Sequence, residues 1–261
     1  MTGATALLIL LAAAAPAAAI FNGGPDGNGH PNVAAVLAAE AFSDGTWTEC
    51  TGTLISPTVV LSAAHCHFED GDSVAVTFDA EYHSATGTTY WGTWHRDPRY
   101  AVSPAGAVTN HQKDPHDMAV IVFASPISGI EPALLPEAGS LRDLDHYTKF
   151  TSVGYGGQFW TKGGGTGKVL HFTDTRYVAV GSLSTETKSL LRISQNSSLG
   201  NGGTCTADSG GPNFLGAGSS STNILAATTL TGDAACQSTN VDYRLDTASA
   251  RWFLGQYVDL P

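Results

Sequence analysis

A serine hydroxyl attacks a carbonyl at neutral pH only when a base takes its proton, and that base needs a third group to fix its tautomer and hold its charge. The stretch Gly203-Thr204-Cys205-Thr206-Ala207-Asp208-Ser209-Gly210-Gly211-Pro212 offers such a serine, set between an aspartate and two glycines. Read alone it is also a polar turn, because Gly, Ser and Asp are common turn residues. The base must come from histidines 30, 65, 67, 83, 95, 111, 116, 146 and 171. His65 differs from the others because it ends the run Thr51 to Cys66, two β-type segments and a turn closed by a cysteine. For the acid, Asp117 opens the apolar run Met118 to Phe123, so its carboxylate can sit at the edge of a core; Asp114, in a polar turn, is the weaker candidate. Together Ser209, His65 and Asp117 would supply nucleophile, base and orienting carboxylate for acyl transfer.

These residues come from distant parts of the chain, so several elements must position them. Short runs rich in Val, Ile, Thr and Phe alternate with turn clusters: Thr51–Ile55, Val59–Ser62, Ser73–Phe78, Met118–Phe123, Phe150–Val153, Val169–Phe172, Tyr177–Val180, Leu190–Ile193 and Ile224–Thr229. Glycines and prolines separate them, which predicts an all-β sandwich or barrel rather than βαβ units. Pro126 to Gly139, with its prolines and no alternation, reads as a linker between two halves. The tail from Asp246 to Val258 reads as a helix capped by Asp246 or Thr247, with Trp252, Phe253, Tyr257 and Val258 on one face.

With 261 residues the chain can bury a substantial core, and its 12 Lys plus Arg against 23 Asp plus Glu give a net charge of −11. That sign repels phosphate backbones, and no basic cluster argues for nucleic acid. Residues 1–19 carry no charged side chain, hold an apolar run from Ala6 to Ala15 and end in Ala17-Ala18-Ala19, which predicts a signal peptide cut before Ile20 and a secreted mature chain with no membrane span. The four cysteines, Cys50, Cys66, Cys205 and Cys236, suit two disulfides in an oxidising compartment. Three pairings are open; joining neighbours in order would close one short loop in each half. Glu69, Asp70 and Asp72 form an acidic turn whose spacing is incomplete for calcium. Asn196-Ser197-Ser198 is a glycosylation sequon.

The segments LSAAHC, HDMAVIVF and CTADSGGP resemble the three motifs of the chymotrypsin-like, or trypsin-like, serine proteases, in that family's His, Asp, Ser order. Their order removes two rivals: an α/β-hydrolase needs a histidine after the serine, yet the last one here is His171, and the subtilisin order needs an aspartate ahead of the histidine on a parallel scaffold. The resemblance runs from Ile20 to the terminal helix and implies two six-stranded antiparallel β-barrels, residues 20–133 and 134–261, with the active site in the cleft between them and a C-terminal α-helix. It implies His65, Asp117 and Ser209 as the catalytic triad and the backbone N–H groups of Ala207 and Ser209 as the oxyanion hole. Ala207 departs from the family's glycine, and a glycine-type backbone there would be strained. The resemblance also implies an ion pair between the Ile20 ammonium and Asp208, without a zymogen stage. It places Gly203, Thr204 and Val241 in the substrate pocket, where the missing carboxylate argues for small or medium apolar residues over Lys or Arg. The two disulfides fall where the family has them. No metal or cofactor is implied; polypeptide substrates, no nucleic-acid or membrane partner, and a monomer are expected.

Overall fold

The computed structural model describes residues 20–66, 68–101, 114–157 and 173–261. The expected leader 1–19 and the expected strand Val169–Phe172 lie outside them. Thirteen strands and one α-helix are present among the described residues. Strands β2 (Val33–Leu37), β3 (Thr48–Ser56), β4 (Val59–Ser62), β5 (Ser73–Thr77), β6 (Tyr90–Arg96) and β7 (Ala119–Phe123) close an antiparallel barrel in the order β2-β3-β4-β7-β6-β5. Strands β8 (Lys149–Gly154), β9 (Tyr177–Glu186), β10 (Leu190–Ser194), β11 (Pro212–Leu215), β12 (Leu225–Gly232) and β13 (Thr239–Arg244) close the second, with β1 (Gly24–Pro25) added to the edge of β9. Closure removes the exposed sheet edges that an open arrangement of so many strands would leave.

Each barrel has its own core. Leu54, Val60, Trp94 and Ile121 fill the first, and Phe150, Leu191 and Ile193 lie at the centre of a cluster in the second. A third cluster takes Leu61 and Val120 from one barrel, Phe214 and Tyr243 from the other, and Phe253 from the helix. Strand β4, Val-Val-Leu-Ser, is buried at every position because one face fills its barrel and the other meets this shared layer. The Pro126–Gly139 segment passes from barrel to barrel: Ala133 N–H donates to Leu54 O, and the next residue pairs with Ile224 in the second half.

The helix α1 (Ala248–Leu254) is shorter than its sequence pattern. Thr247 caps it, its hydroxyl accepting from Ala250 N–H, while Asp246 turns inward to bind the Arg244 guanidinium. Ala250, Phe253 and Leu254 form the buried face; Trp252, expected there, is exposed and lies under the Arg99 guanidinium. The chain leaves helical geometry after Leu254, so the spacing that grouped Trp252 with Tyr257 does not apply.

Candidate active site

Each of the three chemical residues sits where an element ends. His65 follows β4, and the Cys50–Cys66 disulfide ties the residue beside it to β3. Asp117 precedes β7, after His116, whose backbone is left-handed at φ 52°. Ser209 lies in the turn before β11, in a loop tied by the Cys205–Cys236 disulfide.

Folding brings them into one line. The His65 ring Nδ1–H donates to Asp117 Oδ2 at 2.6 Å, and its backbone N–H donates to Asp117 Oδ1 at 2.8 Å. One carboxylate therefore holds both the backbone and the ring. On the far side, Ser209 Oγ lies 2.7 Å from His65 Nε2, positioned to give its proton to that nitrogen. Asp117 is buried, whereas the imidazole is partly open to the cleft. Burial disfavours the imidazolium, but the Asp117 charge and hydrogen bond prevail, so the His65 pKa is raised above 6.5.

Thr51 of β3 clasps the nucleophile loop from the opposite barrel. Its N–H donates to Ser209 O at 2.9 Å, and its hydroxyl donates to Ala207 O at 3.0 Å. Gly210 permits this approach: it is left-handed at φ 76°, and a Cβ there would stand 2.4 Å from Ser62 Oγ and 2.7 Å from Thr51 O. Nothing in sequence marks Thr51 as more than a strand residue.

The peptide between Thr206 and Ala207 is turned by its carbonyl. Gly157 N–H donates to Thr206 O at 3.0 Å, so the Ala207 N–H of the same planar peptide points away from Gly157. Ala207 adopts φ 70°, the left-handed conformation that makes an alanine costly here, by about 1–2 kcal/mol. Asp208 accepts from Cys205 N–H at 2.7 Å and Gly156 N–H at 2.8 Å and is fully buried, which raises its pKa to about 7 despite those bonds. Glycine is required opposite it, since a Cβ on Gly154 would stand 2.0 Å from Asp208 Oδ1. The run Gly154-Tyr155-Gly156-Gly157 was the signal in sequence for this close backing.

The cleft encloses about 660 Å³. His65 and Ser209 line it together with Thr204 to Ala207 and Leu230 to Ala234, the two segments that form its walls. Of the expected pocket residues, Thr204 lines this cleft. Gly203 lies next to it with its backbone paired to Phe21. Val241 is not on the lining; it is buried in β13 opposite Arg192 and Thr231, with its side chain in the shared core. Ile20 is also buried, packed with Tyr177 and Ala179. The acidic turn is used internally: Asp72 accepts from Glu69 N–H, and Asp70 accepts from Arg96 N–H.

Two closed antiparallel barrels with a carboxylate, an imidazole and a serine joined across their cleft define the chymotrypsin-like class of fold. A family model described as Trypsin matches residues 27–251, and the chain belongs to that family.

Proposed function

We propose that this protein is a serine endopeptidase that hydrolyses polypeptides through an acyl-enzyme. The observation that carries this is the unbroken line Asp117–His65–Ser209, with contacts of 2.6 and 2.7 Å. Ser209 Oγ attacks the scissile carbonyl while His65 Nε2 takes its proton. Asp117 holds the ring and stabilises the imidazolium. The proton then passes to the leaving amine, and water, deprotonated in turn by His65, releases the acyl group. The N–H groups of Ala207 and Ser209 receive the oxyanion; one such donor is worth about 3–4 kcal/mol in the transition state.

Signal cleavage before Ile20 completes the site in this reading. The new ammonium pairs with Asp208, whose buried carboxyl meets no cationic side chain among the described residues. The Ile20 side chain is already buried, and the Phe21–Gly203 pairing brings the segment to the nucleophile loop. The enzyme is then active on secretion, and the disulfides fit that compartment. No helix among the described residues is long and apolar enough to cross a membrane. The pocket takes small or medium apolar residues before the cut bond rather than Lys or Arg, because Gly203 offers no carboxylate to a cation.

A fluorophosphonate probe tests the reading. Covalent mass on Ser209, with loss of labelling in His65→Ala, is the expected result. An unlabelled serine in correctly processed protein would instead mark a protease-fold binding protein, disabled by the strain at Ala207.

A further inference from the structure

Asp117 is anchored on its downstream side by the barrel and on its upstream side by side chains. Met118 is fully buried and its carbonyl accepts from Asp97 N–H at 2.9 Å, which fixes the entry to β7. No strand carries residues 114–118. Met118 N–H instead donates to His116 O at 2.9 Å, closing a three-residue turn with Asp117 at its centre. The direction of the carboxylate therefore depends on the backbone of His116. That backbone is left-handed at φ 52°, a conformation uncommon outside glycine and least so for Asn, Asp and His.

The ring of His116 is braced. Its Nδ1 lies 3.0 Å from Ser249 Oγ of α1 and 3.5 Å from Asp114 Oδ1. Asp114 Oδ1 also accepts from the hydroxyl of Tyr243, a fully buried residue of β13. Ser249 is held at its other end, because its carbonyl accepts from Arg99 Nη2 at 3.0 Å, and the same nitrogen donates to Asp97 Oδ2 at 2.6 Å. The bonds thus form a closed circuit around the catalytic acid, running from Met118 through Asp97, Arg99 and Ser249 to His116. His116, Ser249 and Asp114 do not line the cleft, so their part is not substrate contact.

We propose that His116 is a positioning residue for the triad: its ring, braced by Ser249 and Asp114, holds the left-handed backbone that aims the Asp117 carboxylate at His65. This rests on the proteolytic reading above. It gives Asp114, the weaker acid candidate in sequence, a supporting role, and it ties the terminal helix to the catalytic line through Ser249. An ill-directed Asp117 loosens a ring that must stay within reach of Ser209, so the loss falls on turnover rather than on substrate binding.

The test compares His116→Ala, His116→Asn and Ser249→Ala with wild type by peptide hydrolysis, with rates taken per molecule titrated by fluorophosphonate. The NMR resonance of the His65 Nδ1 proton is followed alongside, because it reports the bond to Asp117 without turnover. His116→Ala loses the ring and disfavours the left-handed backbone; it is expected to lower kcat about tenfold with KM changed less than about twofold, and to shift or broaden that resonance. His116→Asn tolerates the conformation and keeps a polar group, so kcat is expected to recover to within about threefold of wild type. Ser249→Ala removes one brace and leaves residue 116 itself unaltered, with an expected loss of about threefold in kcat. If His116→Ala does not fold, Ser249→Ala decides, and an unchanged kcat there overturns the proposal. A loss that falls on KM instead, or an asparagine no better than alanine, would likewise make His116 structural. If wild type cuts no peptide and Ser209 takes no fluorophosphonate, the proteolytic reading fails and this one with it; an active, labelled enzyme whose rate and resonance ignore His116→Ala defeats this one alone.

Discussion

Two histidine–aspartate couples in this molecule are built alike. In each, one carboxylate takes a hydrogen bond from the ring Nδ1–H and another from the backbone N–H of the same histidine: His65 on Asp117 at 2.6 and 2.8 Å, His30 on Asp26 at 2.5 and 3.0 Å. They differ in their third partners. His65 presents Nε2 to Ser209 in a cleft. The ring of His30 stacks on Phe214, and Asp26 shares its second oxygen with the buried Arg176 Nε at 2.8 Å. The Arg176 guanidinium also donates to carbonyl oxygens of Gly27, Val33 and Phe78 and to the Tyr155 hydroxyl, so this couple fastens the N-terminal segment to both barrels. A carboxylate that orients an imidazole is therefore a general positioning device. What lies beyond it decides whether it serves chemistry or cohesion.

The comparison breaks most visibly when the histidines are removed. His65→Ala is expected to lower kcat by about 10⁴-fold or more, because the serine loses its base while the oxyanion donors remain. His30→Ala is expected to leave kcat per folded molecule within about threefold and to cost about 1–2 kcal/mol of stability, read by denaturant unfolding. Equal kinetic losses from both substitutions would show that the second couple belongs to the active site.

Next in size is the charge beneath His30. Asp26→Asn would leave the Arg176 guanidinium buried without its anion, at an expected cost of about 3–5 kcal/mol. In the unaltered protein burial works against the Asp26 carboxylate, but the bonds from His30 and Arg176 outweigh it and its pKa is lowered. The resulting stability is present above the ordinary value near 3.8 and is lost as pH falls through the lower folded value. The advantage of wild type over Asp26→Asn should therefore begin to shrink only below pH 3.8 and vanish once the pH has fallen through the lower folded value, as read by acid unfolding.

At His65 the sign is opposite. Its raised pKa means that the charged pair stabilises the fold fully below pH 6.5 and that this contribution fades as pH rises through the folded value. Catalysis needs the neutral ring, so the acid limb of kcat/KM is expected to have its midpoint above 6.5. A midpoint below that value would show that burial, rather than Asp117, dominates the ring.

Much of this was legible in the chain because motif residues and local patterning agreed: His65, Asp117 and Ser209 meet, and β4 has the limits its apolar run implied. Four elements of the closed barrels were hidden for a common reason, that their burial is decided by distant partners. Strand β2 is Val-Ala-Ala-Val-Leu, buried on both faces, so it lacks alternation; β13 carries Asn240, Asp242 and Arg244, polar residues that only the second barrel explains as buried. Strand β6 buries only Gly92 and Trp94 among exposed and half-buried positions, and β11 begins with a proline. At the site, Thr51 was invisible because its role depends on the opposite barrel, and His30 could not be told from His65 by type alone.

The smallest effect bears on a difference between the two couples that distances do not show: the reactive one is served by a strained neighbour. Ala207, which lines the cleft, is held at φ 70°, which costs an alanine about 1–2 kcal/mol and a glycine almost nothing. Ala207→Gly removes that cost but also frees the unfolded chain, which takes back about 0.4–1 kcal/mol. The two terms leave an expected net gain of about 0.5–1 kcal/mol in unfolding free energy, with kcat altered by less than about threefold, because the Gly157 bond to Thr206 O and the Thr51 bond to Ala207 O already fix the direction of the peptide. A large rise in kcat without a gain in stability would mean that alanine had been holding the N–H out of line. The strain would then be a brake on the chemistry, a burden the His30 couple does not carry.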